Sequence, residues 1–402
     1  PGERNPHVAP LAVSHRGGNF EASPIIVLEN RRFHLEREGR DVVNFSGGEA
    51  DLPTPQGIVQ AGVRALQEGY TRYTEDAGLP ELREALCRKM ARENGLRYSP
   101  DEVIITGGSK WALFMALQVL CDPGDEVLIP SPYWPTYREQ VRLAGARARL
   151  IPTHREHGFK VTGGELAAAV SEKTKGLILN NPSNPTGAVY TREELGELVE
   201  ICAGEGLFVL ADEIYEHFVF DGPGHVSIAA LGEEIGSRTI TVGGCSKNYS
   251  MTGWRVGYGA GPAEVIAAMR RLQSQTTSSA NAAAQKAAAA ALDGGPLTPL
   301  REELRVRRDA LVAGLEGLPG FSVLPPAGGF YVFARIPSRS AGPAASAALA
   351  SALLEEASVA LLPGSAFGAE GYLRLTFAPT PLPRIEEGVR RLRDFLEREE
   401  NL

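Results

Sequence analysis

Gly243-Gly-Cys-Ser-Lys-Asn-Tyr-Ser-Met-Thr-Gly-Trp-Arg-Val-Gly-Tyr258 sets one lysine, Lys247, among small residues, with Arg255 eight positions on. Free lysine is protonated near neutrality and is then no nucleophile. Partial burial and nearby positive charge lower its pKa and release the amine for Schiff-base chemistry. The small neighbours, Ser246 among them, leave room for a flat ring against the backbone. Read alone, Lys247 is an ordinary surface-loop lysine; four further segments change that reading.

Outward from this stretch, short apolar runs alternate with helical periodicity. Strands are expected at 102–106, 126–130, 176–180, 208–211 and 238–242, and helices at 80–94, 110–120, 133–144, 192–204 and 262–273. This alternation predicts an α/β fold, a mostly parallel central sheet sandwiched by helices. A long helix at 300–315 leads away, and strands near 329–334 and 373–377 belong to a smaller α+β domain. An irregular arm (1–22) and an amphipathic helix (24–38) precede the sheet. The expected division is 1–45 as arm and helix joining the small domain, 46–295 as large domain, and 296–402 as the C-terminal small domain.

The chain of 402 residues exceeds one ordinary core. Its charge of −8, from 49 acidic and 41 basic residues, argues against nucleic acid as partner. No apolar run approaches the ~18 residues of a membrane span. Four scattered cysteines without a CxxC pair predict neither disulfides nor a metal site, and they fit a reducing cytoplasm.

Thr106-Gly-Gly-Ser-Lys110 follows a strand and opens a helix, the arrangement of an anion seat, although alone it reads as a plain strand-to-helix turn. Asn181-Pro-Ser-Asn-Pro-Thr-Gly187 holds Asn184 at a strand's C-terminal edge, where sites of open α/β sheets gather. Asp212 ends a strand three residues before Tyr215. As a buried carboxylate it needs a partner, such as a protonated ring nitrogen, but the segment is equally an N-cap aspartate. Arg374, in Tyr372-Leu-Arg-Leu-Thr-Phe377, is suited to gripping a carboxylate; its simpler reading is an exposed strand arginine.

Together with Gly69-Tyr-Thr-Arg-Tyr73, Ala77-Gly-Leu-Pro-Glu-Leu-Arg-Glu-Ala-Leu86, Asp122-Pro-Gly-Asp-Glu126, Ser131-Pro-Tyr-Trp134, Asp212-Glu-Ile-Tyr-Glu-His217 and Pro363-Gly-Ser-Ala-Phe367, these segments resemble the pyridoxal-phosphate enzymes of fold type I. Within them the chain resembles the class I/II aminotransferases, nearest the bacterial aspartate aminotransferase branch. The resemblance implies pyridoxal 5′-phosphate as cofactor, bound covalently through Lys247, which also moves the substrate proton. It implies that Asp212 pairs with the ring nitrogen, that Asn184 and Tyr215 hold the ring oxygen, and that Trp134 stacks on the ring. Ser109, Lys110, Arg255 and the amide of Gly108 are implied phosphate ligands. Tyr73 is implied to reach the phosphate from a neighbouring subunit, making the enzyme a homodimer. Arg374 is implied to grip the α-carboxylate with Gly48 and Asn184.

Some positions depart from the pattern. Ser46-Gly-Gly-Glu-Ala-Asp51 has Ala50 where proline is usual, and Gly244 replaces a serine found in some relatives. Residues 22–26 align with a segment that touches the substrate side chain; Ser23 is kept, but Ile25 stands where a threonine occurs, which weakens the case for a dicarboxylate substrate. The arm His15-Arg-Gly-Gly-Asn-Phe20 is unfamiliar. The expected reaction moves an amino group between an L-α-amino acid and a 2-oxo acid. A second reading uses the same cofactor for elimination, replacement or cyclisation, on a substrate such as S-adenosylmethionine. A third, a regulator without catalysis, is disfavoured by the roughly 20 residues that precede the fold and by intact Lys247, Asp212 and Arg374.

Overall fold

Runs of Val, Ile and Leu bounded by Gly and Pro form one seven-stranded sheet. Its order is Val103–Thr106, Gly257–Ala260, Thr239–Gly244, Phe208–Asp212, Thr174–Asn180, Glu126–Ser131 and Arg147–Pro152. The computed structural model that shows this describes residues 12–18, 24–337, 342 and 344–399. Neighbours are parallel except Gly257–Ala260, which runs antiparallel to both of its partners. The expected mostly parallel sheet therefore holds, with one reversed strand that the sequence reading lacked. Gly-Tyr-Gly-Ala is too short and glycine-rich to read as a strand. Its composition has a packing cause: a Cβ on Gly257 would lie 2.2 Å from the amide nitrogen of Ser109.

Both faces of the sheet are covered, as all-apolar strands require. Val127, Ile129, Ile178, Leu210 and Val242 pack with Leu113, Ile266 and Met269 on one side. The alternate residues Leu128, Leu177, Leu179 and Val209 pack with Leu195, Leu198 and Cys202 on the other. The pleat's period of two thus sets the face of each residue, and Asp212 shares its face with Leu210.

Three expected elements change. The helix expected over 80–94 is α-helical only from Pro80 to Lys89 and finishes in a π-helical turn, Met90–Asn94. The one expected over 133–144 spans Thr136–Leu143, because Pro132 and Pro135 keep the preceding chain out of the helix. Pro24–Arg37 is helical, but Ile26, Val27 and Phe33 are exposed, so the expected clean amphipathic face is absent. Leu28 and Leu35 pack inward, whereas Ile25 and Phe33 line the cavity described below. Of the expected arm, residues 12–18 are described and include the short helix His15–Gly18; Asn19–Ser23 lie outside the described residues.

A second, four-stranded antiparallel sheet runs Leu362–Pro363, Tyr372–Thr376, Tyr331–Arg335, Ser322–Val323. It packs with the helices Thr298–Glu316 and Leu382–Glu399 through Phe330, Val332, Leu375, Leu311 and Leu392. Distant parts of the chain meet beside it. Val43–Asn44 pairs in parallel with Val359–Ala360, and Arg384 and Arg391 both bind Asp41 at 2.6 Å.

Candidate active site

A cavity of about 480 Å³ opens at the C-terminal edge of the parallel strands, between the two sheets. Every cofactor or substrate residue expected from sequence lines it, except Gly108 and Tyr73. Gly108 lies directly behind Ser109. Tyr73 is 90% exposed and away from the cavity of its own chain.

Lys247 stands on the short helix Cys245–Asn248, which the strand Thr239–Gly244 delivers to the cavity. Its Nζ donates to the carbonyl oxygen of Gly48. Burial lowers its pKa to about 8; Arg374, Arg255 and Lys110 act in the same sense and Glu49 against it.

Asp212 is buried. Tyr137 donates its hydroxyl to Oδ2 at 2.7 Å, and the Ile214 amide approaches Oδ1 at 3.3 Å. Burial raises the carboxyl to about 6, opposed by these two donors. Asn180 joins the neighbouring strand ends: its Nδ2 donates to the Asp212 carbonyl at 2.9 Å, and its Oδ1 accepts from the Asn184 amide at 2.7 Å. The N-cap alternative for Asp212 is not what forms, since no helix starts there.

Arg374 is 3% exposed, which removes the exposed-strand alternative. Nη1 donates to Asn184 Oδ1 at 3.1 Å and Nη2 to the Ser46 carbonyl at 2.8 Å, while buried Nε has no partner. The guanidinium lies 4.3 Å over the Tyr331 ring and 4.8 Å from that of Phe367. Burial lowers its pKa, with Tyr331 and Tyr215 opposing. The hydroxyls of Tyr215 and Tyr331 are 2.6 Å apart.

The third wall is cationic. Gly108, at φ 105°, leads into the helix Ser109–Leu120, whose first residues, Ser109 and Lys110, line the cavity. A Cβ on Gly108 would lie 2.3 Å from Nη2 of Arg255, so only glycine lets the guanidinium approach. Arg255 donates to the carbonyls of Thr252 at 2.9 Å and Gly107 at 3.3 Å. Lys110 is 4.8 Å from the ring of Trp134, which meets Tyr137 edge to face. Burial, then Arg255, lowers the Lys110 pKa.

Sequence reasoning missed Glu29, Arg32, Asn44, Glu49, Tyr137 and Tyr331 in this cavity. Two carried a signal: Tyr137, three residues beyond Trp134 on the following helix, and Glu49, next to Gly48 in the segment Ser46–Asp51.

Behind the cavity lies a buried polar cluster. Lys89 Nζ contacts Glu216 Oε2 at 2.5 Å and Asn94 Oδ1 at 2.8 Å. Asn248, next to Lys247, donates to Glu216 at 3.3 Å, and Tyr258 does so at 3.2 Å. Glu213, next to Asp212, accepts from Ser227 at 2.7 Å and lies 3.0 Å from His225. Glu213, Glu216 and His225 bring potential metal-ligand atoms within 4.8 Å of one another, but the Lys89 ammonium already supplies the positive charge there.

A buried lysine of lowered pKa, a buried carboxylate and a cationic seat at the edge of the seven-stranded sheet, with the buried Arg374 facing them from the four-stranded sheet, fit a pyridoxal-phosphate enzyme of fold type I. Residues 40–392 match the family described as "Aminotransferase class I and II". The chain is 42% identical over 391 residues to an aspartate aminotransferase of Geobacillus stearothermophilus, covering 96% of this chain and 99% of that one. It is 40% identical to a probable aspartate/prephenate aminotransferase of Aquifex aeolicus, covering 96% and 98%. Among solved structures, the aspartate aminotransferase of Rhizobium meliloti superposes with a TM-score of 0.90 at 37% identity, covering 96% and 98%. That of Thermus thermophilus with maleate gives 0.89 at 39%, covering 96% and 99%. The chain belongs to the class I and II aminotransferase family and is a pyridoxal-phosphate-dependent aminotransferase.

Proposed function

We propose that the amino donor is a small L-α-amino acid, with aspartate first in line, and that the acceptor is a 2-oxo acid. The observation that carries this is Arg374: a buried guanidinium with an unpartnered Nε, in the same cavity as Lys247. The relatives named for aspartate support the choice of donor. Arg32 in the wall suits a second carboxylate, whereas Ile25 favours apolar contact. The elimination and cyclisation reading has no observation in its favour.

The cavity fits the cofactor by charge. Arg32, Lys110, Lys247, Arg255 and Arg374 face Glu29, Glu49 and Asp212, an excess of cations that a phosphate dianion would balance. Ser109, Lys110, Arg255, Ser246 and the Gly108 amide would hold the phosphate, joined by Tyr73 of the partner subunit in a homodimer. Asp212 would face the ring nitrogen, Asn184 and Tyr215 the ring oxygen, and Trp134 the ring face. Bound there, pyridoxal phosphate supplies the electron sink that makes the substrate Cα–H bond acidic. Tyr137 and the Ile214 amide favour the charged form of Asp212 against its burial. Arg374 fixes the α-carboxylate and so aims the Cα proton. Lys247 Nζ, with its pKa near 8, takes that proton, and the Gly48 carbonyl steadies the resulting ammonium. We take 46–295 as the large domain and 1–45 with 296–402 as the small one, and the cytoplasm as the site of action.

The test is an absorbance scan of the cofactor-loaded protein against amino acids, including aspartate and S-adenosylmethionine. Aspartate should shift the cofactor band fastest, and a 2-oxo acid should restore it. A band that shifts for another amino acid but not for aspartate overturns the donor assignment.

A further inference from the structure

The two cations central to this reading rest on one short turn. Lys247 Nζ donates to the Gly48 carbonyl, and Arg374 Nη2 donates to the Ser46 carbonyl at 2.8 Å. The turn is braced from within by Asn44, whose Oδ1 accepts the amides of Ser46 at 3.0 Å and Gly47 at 3.1 Å. It is held from outside by Glu29: the Ser46 hydroxyl donates to Glu29 Oε1 and lies 2.9 Å from Asn44 Oδ1. The other Glu29 oxygen accepts from Arg32 Nη2 at 2.8 Å, and Arg32 Nη1 donates to Glu36 at 2.7 Å. Glu29 and Arg32 belong to the helix Pro24–Arg37, which also supplies Ile25 and Phe33 to the cavity wall. Among the described residues, Glu29 to Ser46 is the hydrogen bond that joins this helix to the turn.

We infer that Glu29, acting through the Ser46 hydroxyl, is a positioning residue: it couples the seating of the helix that walls the substrate side chain to the carbonyl that aims Arg374, and so sets how tightly the α-carboxylate is held. This rests on Arg374 being the carboxylate grip. Arg32 has two parts in it. Its ion pair fixes the Glu29 rotamer, and its charge keeps Glu29 from repelling an incoming carboxylate. A substrate side chain that displaces Ile25 or Phe33 would therefore loosen the grip at the other end of the molecule, making side-chain fit and carboxylate affinity interdependent.

The test is a double-mutant cycle on the cofactor-loaded enzyme with Ser46→Ala, Glu29→Ala and the pair. Two quantities are read: KM and kcat for aspartate, and the dissociation constant of succinate, which carries no amino group and cannot react. Each single variant should raise KM and the succinate constant by about tenfold, the scale of one buried hydrogen bond. In each, kcat should stay within about threefold, and the pair should be no worse than either single. Glu29→Gln, which keeps an acceptor for Ser46, should recover most of the loss. Succinate affinities within twofold of wild type in both singles would overturn the inference, as would losses that multiply in the pair, since Glu29 would then act through Arg32's charge alone. Wild-type enzyme that binds succinate tightly but never transaminates aspartate would instead sink the donor assignment and leave the coupling standing. Ser46→Ala removes one oxygen atom, so the cycle keeps a folded arm even if Glu29→Ala unfolds.

Discussion

Lys247 and Asp212 share one cavity, and burial moves their proton affinities in opposite senses, because it disfavours whichever form is charged. With a pKa near 8, about a tenth of Lys247 is free amine at pH 7, against roughly 0.03% for a lysine at its ordinary value. The sign for stability follows. Between about 8 and 10.5 the unfolded lysine holds a proton that the folded one has released, so stability rises with pH across that window. Urea midpoints of the cofactor-free protein should rise from pH 8 to pH 10 relative to Lys247→Met; parallel curves would show an unshifted lysine. Asp212 works the other way. Folded, it keeps its proton up to about 6, above the ordinary 3.8, so stability falls as pH climbs between those values, and Asp212→Asn should erase that fall. Lys247, Asp212, Asn184 and Arg374 were legible because each sits in a short distinctive run (small residues, a strand end, paired prolines, alternation broken by one charge) and because those runs together resemble one family, where Lys247, Asp212 or Arg374 alone had a plainer reading. Glu29, Asn44 and Tyr331 were not. Nothing near them in sequence differs from any helix or strand residue; Glu29 and Asn44 reach the cavity of Arg374 only by packing across more than 300 positions, and Tyr331 only by the antiparallel pairing of its strand with that of Arg374.

Among elements, two of the departures from expectation meet behind the cavity. The π-helical turn Met90–Asn94 adds a residue to the helix end, and there Lys89 and Asn94 converge on Glu216. The reversed strand Gly257–Ala260 brings Tyr258 to the same carboxylate. Neither feature has a periodicity to read, since each is set by what it packs against. Burial alone would raise Glu216, but Lys89, His217 and His225 outweigh it and hold it at about 2. Removing one partner strands the other's charge. Lys89→Met is expected to cost about 3–5 kcal/mol in urea denaturation, and adding Glu216→Gln should recover part of that. A cost below about 1 kcal/mol would mean that water reaches Glu216. Because Asn248 and Glu213 tie this cluster to the neighbours of Lys247 and Asp212, Lys89→Met should also weaken cofactor retention.

At the scale of the whole molecule, one chain brings Ser109, Lys110 and Arg255 to the cationic seat, yet its own Tyr73 stands exposed outside it, with Val63 and Leu66 exposed on the helix Gln56–Gln67. A dimer that lends Tyr73 across the interface makes a sharp prediction. Lys247→Ala and Tyr73→Ala homodimers should each be impaired. A hybrid of the two has one site with both groups intact and should regain about half the wild-type rate. No recovery on co-expression would place Tyr73 in its own subunit or outside the reaction.

The parallel pairing of Val43–Asn44 with Val359–Ala360 also has a consequence for biosynthesis. A ribosome adding about 5–20 residues per second needs roughly 15–60 s to travel between those two strands. The sheet spanning 103–260 can assemble in that interval, but Asn44 and the carbonyls just after it wait for a partner that has not been made. A nascent chain stalled before residue 359 would carry its lysine and aspartate and still lack the strand that pairs with Val43–Asn44 just ahead of Gly48, so activity should emerge only once the strands at 359–360 and 372–376 have been made, all at once.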